Sequence, residues 1–177
     1  GTISGIVFDA PVTQAVVTAY EYQNGKVGRK LGSATTSPYG EYSIEVDASS
    51  MPLYIEAKGG AYKDPLTDDI VETSEGKPIR IVSVINYGEG NDQDVMITPL
   101  TYMVTGLAEY KIKNGTEASS AIDEALNTIN AMYGFNVNSV KPIDITRGGI
   151  SGSATEGHRY GALSVSYTHL TLPTTNS

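Results

Sequence analysis

The sequence predicts a mainly β protein, an antiparallel β-sandwich of about seven short strands followed by two to three α-helices. Three observations carry this prediction. Apolar and polar residues alternate through much of the first 100 residues, and turn residues interrupt the alternation at short intervals. From residue 101 the apolar residues instead recur with helical spacing. We therefore expect a sandwich domain over residues 1–100 and a helical segment over residues 101–164.

Seven segments have the alternation and the β-branched or aromatic composition of strands. Clear turn signals punctuate the series at Asn24–Gly25, Ser37–Gly40 and Gly59–Gly60. Their close spacing is typical of antiparallel sheets rather than of strands alternating with helices. The predicted strands are Thr2–Phe8, Ala15–Tyr22, 31–36, Glu41–Val46, Pro52–Lys58, Ile79–Tyr87 and Val95–Leu100.

The first predicted helix begins at residue 101. Thr101 is the expected N-cap, because a threonine hydroxyl can accept from the free backbone N–H groups of the first turn. Lys111 and Lys113 suit the negative end of the helix, and Asn114–Gly115 is expected to stop it. The apolar stripe of this helix consists of Met103, Val104, Leu107 and Ala108.

A second helix is expected from about Thr116 to Gly134, a good residue for a left-handed C-terminal cap. Residues 135–145 are expected to be extended and residues 147–153 to form a loop. Ser153 and Glu156 have the spacing of a capping box, which predicts the start of a third helix. The apolar stripe of the second helix is Ala118, Ile122, Ala125, Leu126, Ile129 and Met132.

Composition excludes several functions. The formal net charge of −8 and the pI of about 4.7 argue against nucleic-acid binding, which needs clustered Lys and Arg. The chain has no cysteine, so it has no disulfides, no thiolate nucleophile and no Cys-ligated metal. No apolar run approaches the roughly 20 residues that a membrane-spanning helix needs. The chain begins with Gly1 rather than Met, and we interpret it as a processed or partial product.

No motif in the sequence assembles a catalytic site. His158 lies in a polar, Gly-flanked stretch without a G-x-S-x-G nucleophile motif, so a loop or helix-start role is favoured over general-base chemistry. The Gly-rich "RGGISGSATEG" lacks the lysine of a phosphate-binding loop and is interpreted as a flexible connection. No two carboxylates stand out as a glycosidase pair. The sequence therefore predicts a protein that is not an enzyme.

Calcium is the one cofactor for which the sequence offers weak candidates. The stretch "KDPLTDDIVETSEG" contains Asp64, Asp68 and Asp69, whose oxygens suit a hard cation. Their spacing is not that of a helix-loop-helix calcium loop, so a solvated loop between strands is favoured. "NDQD" (Asn91–Asp94) is likewise interpreted first as a turn and only second as a partial calcium site. The expected cofactor list is otherwise empty.

Tyrosine is unusually frequent: the chain has 12 Tyr, two Phe and no Trp. A tyrosine ring suits a half-buried strand face, with an apolar body and a polar tip. Sheet packing is therefore favoured over an aromatic ligand platform.

Two segments carry a family pattern. "SGIVFDAPVTQAVVTAY" has the order Gly, strand, Pro-Val, Ala, strand, and "GSATTSPYGEYSIEV" has a Thr, then the Gly and Tyr of a turn and returning strand. Together they resemble the carboxypeptidase regulatory-like domains, which are Ig-like sandwiches of the transthyretin (prealbumin)-like or Cna-B-like kind. The resemblance implies that Gly40 makes the tight turn and that Tyr42 packs into the sandwich. Its signature positions are Gly5, Val7, Pro11, Ala15, Val17, Thr36, Gly40 and Tyr42.

The remaining sequence is similar to a subset of bacterial envelope proteins. Three features occur in the same order: "GGAYKD" at Gly59–Asp64, a "TPLT" strand-to-helix junction, and "YGAL" at Tyr160–Leu163. Those relatives are secreted or lipid-anchored and have no assigned activity. The resemblance implies an extracytoplasmic bacterial location, with membrane attachment only through an N-terminal lipid anchor outside this sequence. It does not imply peptidase activity, because the chain lacks a carboxypeptidase-like zinc-ligand set. The junction residues are Thr98, Pro99, Leu100 and Thr101.

Residues 165–177 are predicted to be translated sequencing adapter. Val165–Thr174 can be back-translated as GTC TCT TAT ACA CAT CTG ACG CTG CCG ACG, which resembles the transposase mosaic-end adapter base for base. The flanking codons also fit, since Ser164 can end in CT and Thr175 begins with A. The alternative is a genuine Thr-rich linker. We expect a fragment from an assembled environmental genome, with the third helix interrupted near residues 163–164 and with His169 carrying no chemistry.

These observations favour a non-catalytic, extracytoplasmic β-sandwich module that acts in surface structure, adhesion or protein interaction. The alternative is a carbohydrate-binding module accessory to a missing enzyme domain, in which Tyr rings would stack on sugar faces. Three exposed, coplanar Tyr on one sheet face would favour the alternative, and Tyr buried in the core would disfavour it. The expected partner is therefore a surface protein or a glycan.

Overall fold

The structure is a computed structural model, and it describes residues 1–8, 12–59, 61–63, 70–72, 80–143 and 155–171. Ten strands and three helices lie in these ranges. The strands are β1 (Thr2–Ile6), β2 (Val12–Thr13), β3 (Val16–Gln23), β4 (Lys26–Thr35), β5 (Glu41–Glu45), β6 (Met51–Lys58), β7 (Ala61–Lys63), β8 (Ile70–Glu72), β9 (Arg80–Tyr87) and β10 (Gln93–Asp94). The helices are α1 (Pro99–Lys113), α2 (Ala118–Tyr133) and α3 (Glu156–Thr171).

The strands form three sheets. A four-stranded antiparallel sheet has the order β4-β3-β6-β9, and its strands pair along most of their length. A three-stranded sheet has the order β10-β1-β5, in which β1 is antiparallel to β5 and parallel to β10. A third small sheet joins β2, β7 and β8. The two larger sheets form the sandwich.

Two hydrophobic cores divide the molecule into three layers. The first core lies between the two larger sheets, where Ile3 and Ile44 face Leu53, Ile55 and other residues of the four-stranded sheet. The second core lies on the outer face of that sheet, where side chains of β3, β6 and β9 pack against the helices. The helical segment is therefore a third layer on the sandwich. Within the described residues, no helix combines the length and apolar composition that a membrane span requires.

The prediction of a mainly β fold, with sandwiched sheets followed by helices, is confirmed at this level. Six of the seven predicted strands correspond to β1, β3, β4, β5, β6 and β9, and the short strands β2, β7, β8 and β10 bring the described total to ten. The predicted strand Val95–Leu100 is wrong: the structure has no named strand there, only an isolated bridge between Val7 and Ile97. Val95 and Ile97 donate backbone hydrogen bonds to β1 at 2.8 and 3.0 Å, but helix α1 already begins at Pro99.

The prediction that Thr101 is the N-cap of α1 is wrong, because Thr98 occupies that position. The Thr98 hydroxyl accepts from the backbone N–H groups of Leu100 and Thr101, and the Thr101 hydroxyl accepts from the Thr98 N–H. This reciprocal capping box starts the helix three residues earlier, with Pro99 in the first turn, where a missing N–H has no cost. The predicted end is confirmed, with Asn114 as the C-cap.

Helix α2 begins at Ala118 after the N-cap Glu117, and its C-cap Gly134 has φ 80, as the sequence predicts. Its apolar stripe is buried except at Leu126, which is partly buried, and at the last position. Met132 is 63% exposed, and Tyr133 is half-buried in its place. The spacing of four from Ile129 to Tyr133 continues the stripe better than the spacing of three. The segment that follows forms a turn at Val137–Ser139 rather than running extended.

Helix α3 is capped by Thr155, not by the predicted pair of Ser153 and Glu156. The Thr155 hydroxyl accepts from the His158 backbone N–H at 3.2 Å, and the His158 ring accepts from the Thr155 N–H at 3.4 Å. Ser153 lies outside the described residues. The helix continues to Thr171, so the predicted interruption near residues 163–164 is wrong. The adapter origin of residues 165–177 stays a prediction.

Two glycines let α3 approach the backbone of the preceding segment. Ile143 donates its N–H to the Gly157 carbonyl at 2.9 Å. A Cβ at Gly157 would lie 2.8 Å from the Lys141 carbonyl oxygen, and one at Gly161 only 1.8 Å from that of Ile143. Because no side chain fits at either position, this face of α3 packs directly against main chain.

Candidate functional site

Gly5 and Tyr42, two signature residues of the sandwich, are directly opposite each other in the β1–β5 pair. The Tyr42 hydroxyl is buried and donates to the Val95 carbonyl at 2.6 Å. A Cβ at Gly5 would lie 2.0 Å from that same oxygen. Gly5 therefore leaves the space in which Val95 receives the hydrogen bond, and Tyr42 packs in the sandwich as the resemblance implies.

Ala15 and Thr36 form a second contact between signature residues. The Ala15 N–H donates to the Thr36 hydroxyl at 3.0 Å, and the Thr36 N–H donates to the Ala15 carbonyl at 2.9 Å. Both residues are buried, as are Val7 and Val17. Gly40 has φ 79 and closes the turn before β5, which confirms the turn predicted at Ser37–Gly40. Pro11 lies outside the described residues.

The four junction residues anchor the helical layer on the sandwich. Thr98, Leu100 and Thr101 are fully buried. The Thr101 and Thr105 hydroxyls lie 3.4 and 3.3 Å from the Val82 carbonyl of β9. The junction therefore ties the first turns of α1 to the central sheet, and its role is structural.

Tyr160 connects this junction to α3. Its hydroxyl is fully buried, donates to the Val137 carbonyl at 2.7 Å, and lies 2.7 Å from the Thr98 hydroxyl. Because the single Tyr160 proton goes to Val137, Thr98 is the donor in their contact. The Tyr160 ring also packs on Phe135, with ring centroids 4.9 Å apart. One side chain thus joins the cap of α1, the 137–139 turn and α3.

Burial raises the pKa of several tyrosines. It raises the pKa of Tyr42 and of Tyr160 far above the ordinary value near 10. The pKa of Tyr22 is raised to about 12 by burial and by the Glu109 carboxylate. Tyr22 differs from the other two, because its buried hydroxyl has no hydrogen-bond partner among the described residues.

We expect the protein to lose stability at alkaline pH. A tyrosine whose folded-state pKa is raised contributes stability that is complete below about pH 10 and is lost as the pH rises further. For Tyr22 the loss extends from about pH 10 to about 12. Urea unfolding at increasing pH should show a fall of about 1.4 kcal/mol per pH unit for each such tyrosine. A free energy of unfolding that stays level over this range would contradict the prediction.

The exposed tyrosines do not form a sugar-stacking platform among the described side chains. Tyr39 lies in the turn before β5, and Tyr102 and Tyr110 lie on α1, each at least 45% exposed. On the sheets, Tyr22 and Tyr54 are buried under the helices. The arrangement that would favour a carbohydrate-binding module is therefore missing from this part of the chain.

The polar candidates for chemistry do not come together. The His158 ring is engaged with Thr155 at the start of α3. Asp64, Asp68 and Asp69 lie outside the described residues. The described residues contain no group of three or more His, Cys, Asp or Glu side chains arranged to hold a metal. The predicted turn at "NDQD" lies slightly earlier, at residues 88–91, and Asp92 accepts from the Thr2 N–H at 2.9 Å.

Arg80 forms a charged cluster at the start of β9. Its guanidinium donates to the Glu56 carboxylate at 2.7 Å and to the Tyr54 hydroxyl. Burial alone would lower the pKa of Arg80, but the Glu56 hydrogen bond and the nearby Tyr54 raise it overall. The cluster contains a paired cation and no free nucleophile, so it fixes the register of β6 and β9 rather than offering chemistry.

One groove in the described part of the chain, which we call the sheet groove, has a volume of about 680 Å³. It lies against β1 and β5 and the end of β4, and its floor is rich in small hydroxyl side chains. Glu41, Asp94 and Lys141 supply charges of both signs. Most of the lining residues belong to the strands β1, β4 and β5, so the groove is preformed. Its polar lining is Ser4, Thr35, Thr36, Ser37, Glu41, Ser43, Asp94 and Lys141.

A second cleft of about 300 Å³, which we call the asparagine cleft, lies between β9, β10, α2 and the turn after α2. Its polar lining includes Asn86, Asn138, Asp94 and Asp123. Asp94 also lines the sheet groove, so the two openings share a residue. Sequence reasoning did not identify this cleft, because its residues come from four separate segments and form no local motif.

No protein-family model matches this chain, and a search of curated protein sequences found no significant match.

Proposed function

We propose that the chain is a non-catalytic, extracytoplasmic module of a bacterial surface protein, with an Ig-like or prealbumin-like sandwich, and that it binds another surface protein through the sheet groove. The observation that carries the proposal is the groove itself, which has a mixed polar and apolar lining held by strands of both larger sheets. Rigid strands present side chains without the entropy cost of ordering a loop. Lys141 and Glu41 provide charges that a partner can pair.

The hydrogen bonds of the buried polar side chains support a binding role over catalysis. The hydroxyls of Tyr42, Thr36 and Thr98 are already engaged in hydrogen bonds to backbone groups. His158 caps α3. A catalytic site needs a nucleophile and a base in reach of each other. The proposed extracytoplasmic location rests on the resemblance of the sandwich and junction segments to envelope proteins.

The test is binding of the fluorescently labelled chain to intact bacterial cells, measured by flow cytometry. Ser43→Arg places a bulky cation on an exposed groove position, and Asn127→Arg makes the matched change on the exposed face of α2. We expect protease-sensitive binding that Ser43→Arg abolishes and Asn127→Arg retains. Periodate-sensitive binding with a glycan-array signal would support the carbohydrate alternative instead. Absence of binding, or turnover of ester, peptide or glycoside substrates, would overturn the proposal.

A further inference from the structure

The exposed face of helix α1 carries two tyrosines and a glycine where a surface helix usually carries charges. From Pro99 to Ala108 the helix contains no charged residue. Tyr102 is 45% exposed, and Tyr110 is 65% exposed. Gly106 is exposed as well and lies one turn from each tyrosine. Because the solvent side of a surface helix is normally polar or charged, this face calls for an explanation.

Gly106 differs from the other helix glycines of the described chain in having no reason inside the molecule. A Cβ at Gly157 or Gly161 in α3 would clash with a backbone carbonyl of this chain, whereas a Cβ at Gly106 would meet no atom within 4 Å. Glycine weakens a helix interior, so its presence there usually has a packing or functional reason. In α3 that reason is the close approach of main chain. At Gly106 no described residue makes such an approach.

The face is symmetric about Gly106. Tyr102 lies four residues before the glycine, and Tyr110 lies four residues after it. A two-fold contact brings the same surface of two copies together, so it needs a self-complementary surface. When a second α1 crosses antiparallel at Gly106, the two glycines meet and Tyr102 of each copy lies beside the partner subunit's Tyr110. The two pairs of rings then fill the space on either side of the crossing.

The area of this face suits a weak dimer. Given the size of a tyrosine side chain, the exposed parts of Tyr102 and Tyr110 amount to roughly 250 Å². The partly buried Met103 and Leu107 lie on the same helix beside them. Each copy therefore offers less than the roughly 800 Å² per partner of a standard stable interface. A contact of this kind forms at high protein concentration and dissociates on dilution.

The charge of the face permits self-association, although the chain as a whole has a formal net charge of −8. The exposed charged residues of α1 are Glu109 and Lys113, which have opposite signs. Salt screens the repulsion between the two negatively charged copies and leaves the aromatic contact in place. The dimer should therefore strengthen as salt is added.

We propose that this chain forms a weak two-fold dimer in which the α1 helices cross antiparallel at Gly106. The helical layer and the three-stranded sheet lie on opposite faces of the four-stranded sheet, so the sheet groove of each copy stays open. Two grooves in one particle raise the avidity for a surface that displays many copies of a partner. The inference stands on the face of α1 and does not depend on the role of the groove.

The first test is sedimentation velocity of the parent chain from about 5 to about 500 µM. We expect a dissociation constant of about 100 µM, which falls when salt is added. Gly106→Gln places a bulky side chain at the crossing, and Tyr110→Gln removes a ring from it. Each should raise the dissociation constant at least about tenfold. Tyr39→Gln is the matched control, because Tyr39 is 61% exposed in the turn before β5 and should not affect the dimer.

The second test locates the contact by disulfide formation. The chain has no cysteine, so a single Gly106→Cys reports on the crossing alone. A disulfide needs Cα atoms about 4.4–6.8 Å apart, which the meeting of two glycine positions provides. Under air oxidation, Gly106→Cys should form a covalent dimer at least about tenfold faster than Tyr39→Cys.

Three results would overturn the proposal. The first is a parent chain that stays monomeric at every concentration, which would leave the face to a different protein. The second is a dimer that Gly106→Gln and Tyr110→Gln do not weaken, which would place the contact elsewhere on the surface. The third is equal rates of covalent dimer formation for Gly106→Cys and Tyr39→Cys, because the two copies would then not meet at Gly106.

Discussion

Gly5→Ala is expected to destabilise the protein by about 3 kcal/mol or more. The new Cβ would lie 2.0 Å from the Val95 carbonyl oxygen and 2.7 Å from its carbon. Neither side can easily move away. The Val95 N–H donates to Ser4 at 2.8 Å, and its carbonyl accepts from Tyr42 at 2.6 Å. Relief of the clash therefore breaks hydrogen bonds between β1 and the segment after β10.

Urea unfolding measured by circular dichroism checks this expectation, with Gly106→Ala as the control. Gly106 is exposed on α1, and a Cβ there would meet no atom within 4 Å. Alanine is the better helix former by about 1 kcal/mol, so the control should be more stable than the parent. A loss of less than about 1 kcal/mol in Gly5→Ala would contradict this prediction, because the close approach would then be readily relieved.

The position of β5 could be predicted because this strand buries one face and exposes the other. In β5, Tyr42 and Ile44 are buried, whereas Glu41, Ser43 and Glu45 are exposed. This alternation is a property of the local sequence. The same is true of the turn at Gly40, which needs a left-handed residue, and of the end of α2 at Gly134. These features required no knowledge of the remaining chain.

The start of α1 could not be assigned from propensity alone, because Thr98 and Thr101 are both good caps. The sequence contained one further signal, the proline at position 99, which favours the first turn of a helix. A proline at position 99 therefore favours Thr98 over Thr101 as the N-cap. The hydrogen bond from Thr98 to Tyr160 joins residues 62 positions apart, and no local pattern predicts such a pairing.

The sheet groove and the asparagine cleft could not be predicted from the sequence either, because their lining residues are far apart in the chain. The asparagine cleft combines Asn86 from β9, Asp123 from α2 and Asn138 from a turn. None of these residues belongs to a spaced motif, and asparagine is a common turn residue. Only the packing of α2 on the sheet places them together, and the buried Oδ1 atoms of Asn86 and Asn138 accept no hydrogen bond from the described residues.

Two buried tyrosines, Tyr160 and Tyr22, are expected to respond in opposite ways to the loss of their hydroxyl groups. Tyr160→Phe removes the donor to the Val137 carbonyl and the acceptor for Thr98, which leaves buried polar groups unpaired. The cost is about 1–3 kcal/mol. Tyr22→Phe removes a buried hydroxyl without a described partner. That change should be close to neutral or stabilising by up to about 1 kcal/mol.

The location of the Tyr160 hydroxyl also predicts where the damage appears. Because it joins the cap of α1 to α3, its loss should increase amide hydrogen exchange in α3 and at the first turn of α1 before it affects the β3–β6 pair. The double variant Thr98→Ala/Tyr160→Phe should be less destabilised than the sum of the single variants by at least about 0.5 kcal/mol, since both remove the same contact. Equal effects of Tyr160→Phe and Tyr22→Phe would show that the hydrogen bonds of Tyr160 to Thr98 and Val137 contribute no stability. Exchange that rises evenly through the chain would show that these hydrogen bonds do not hold α3 in place.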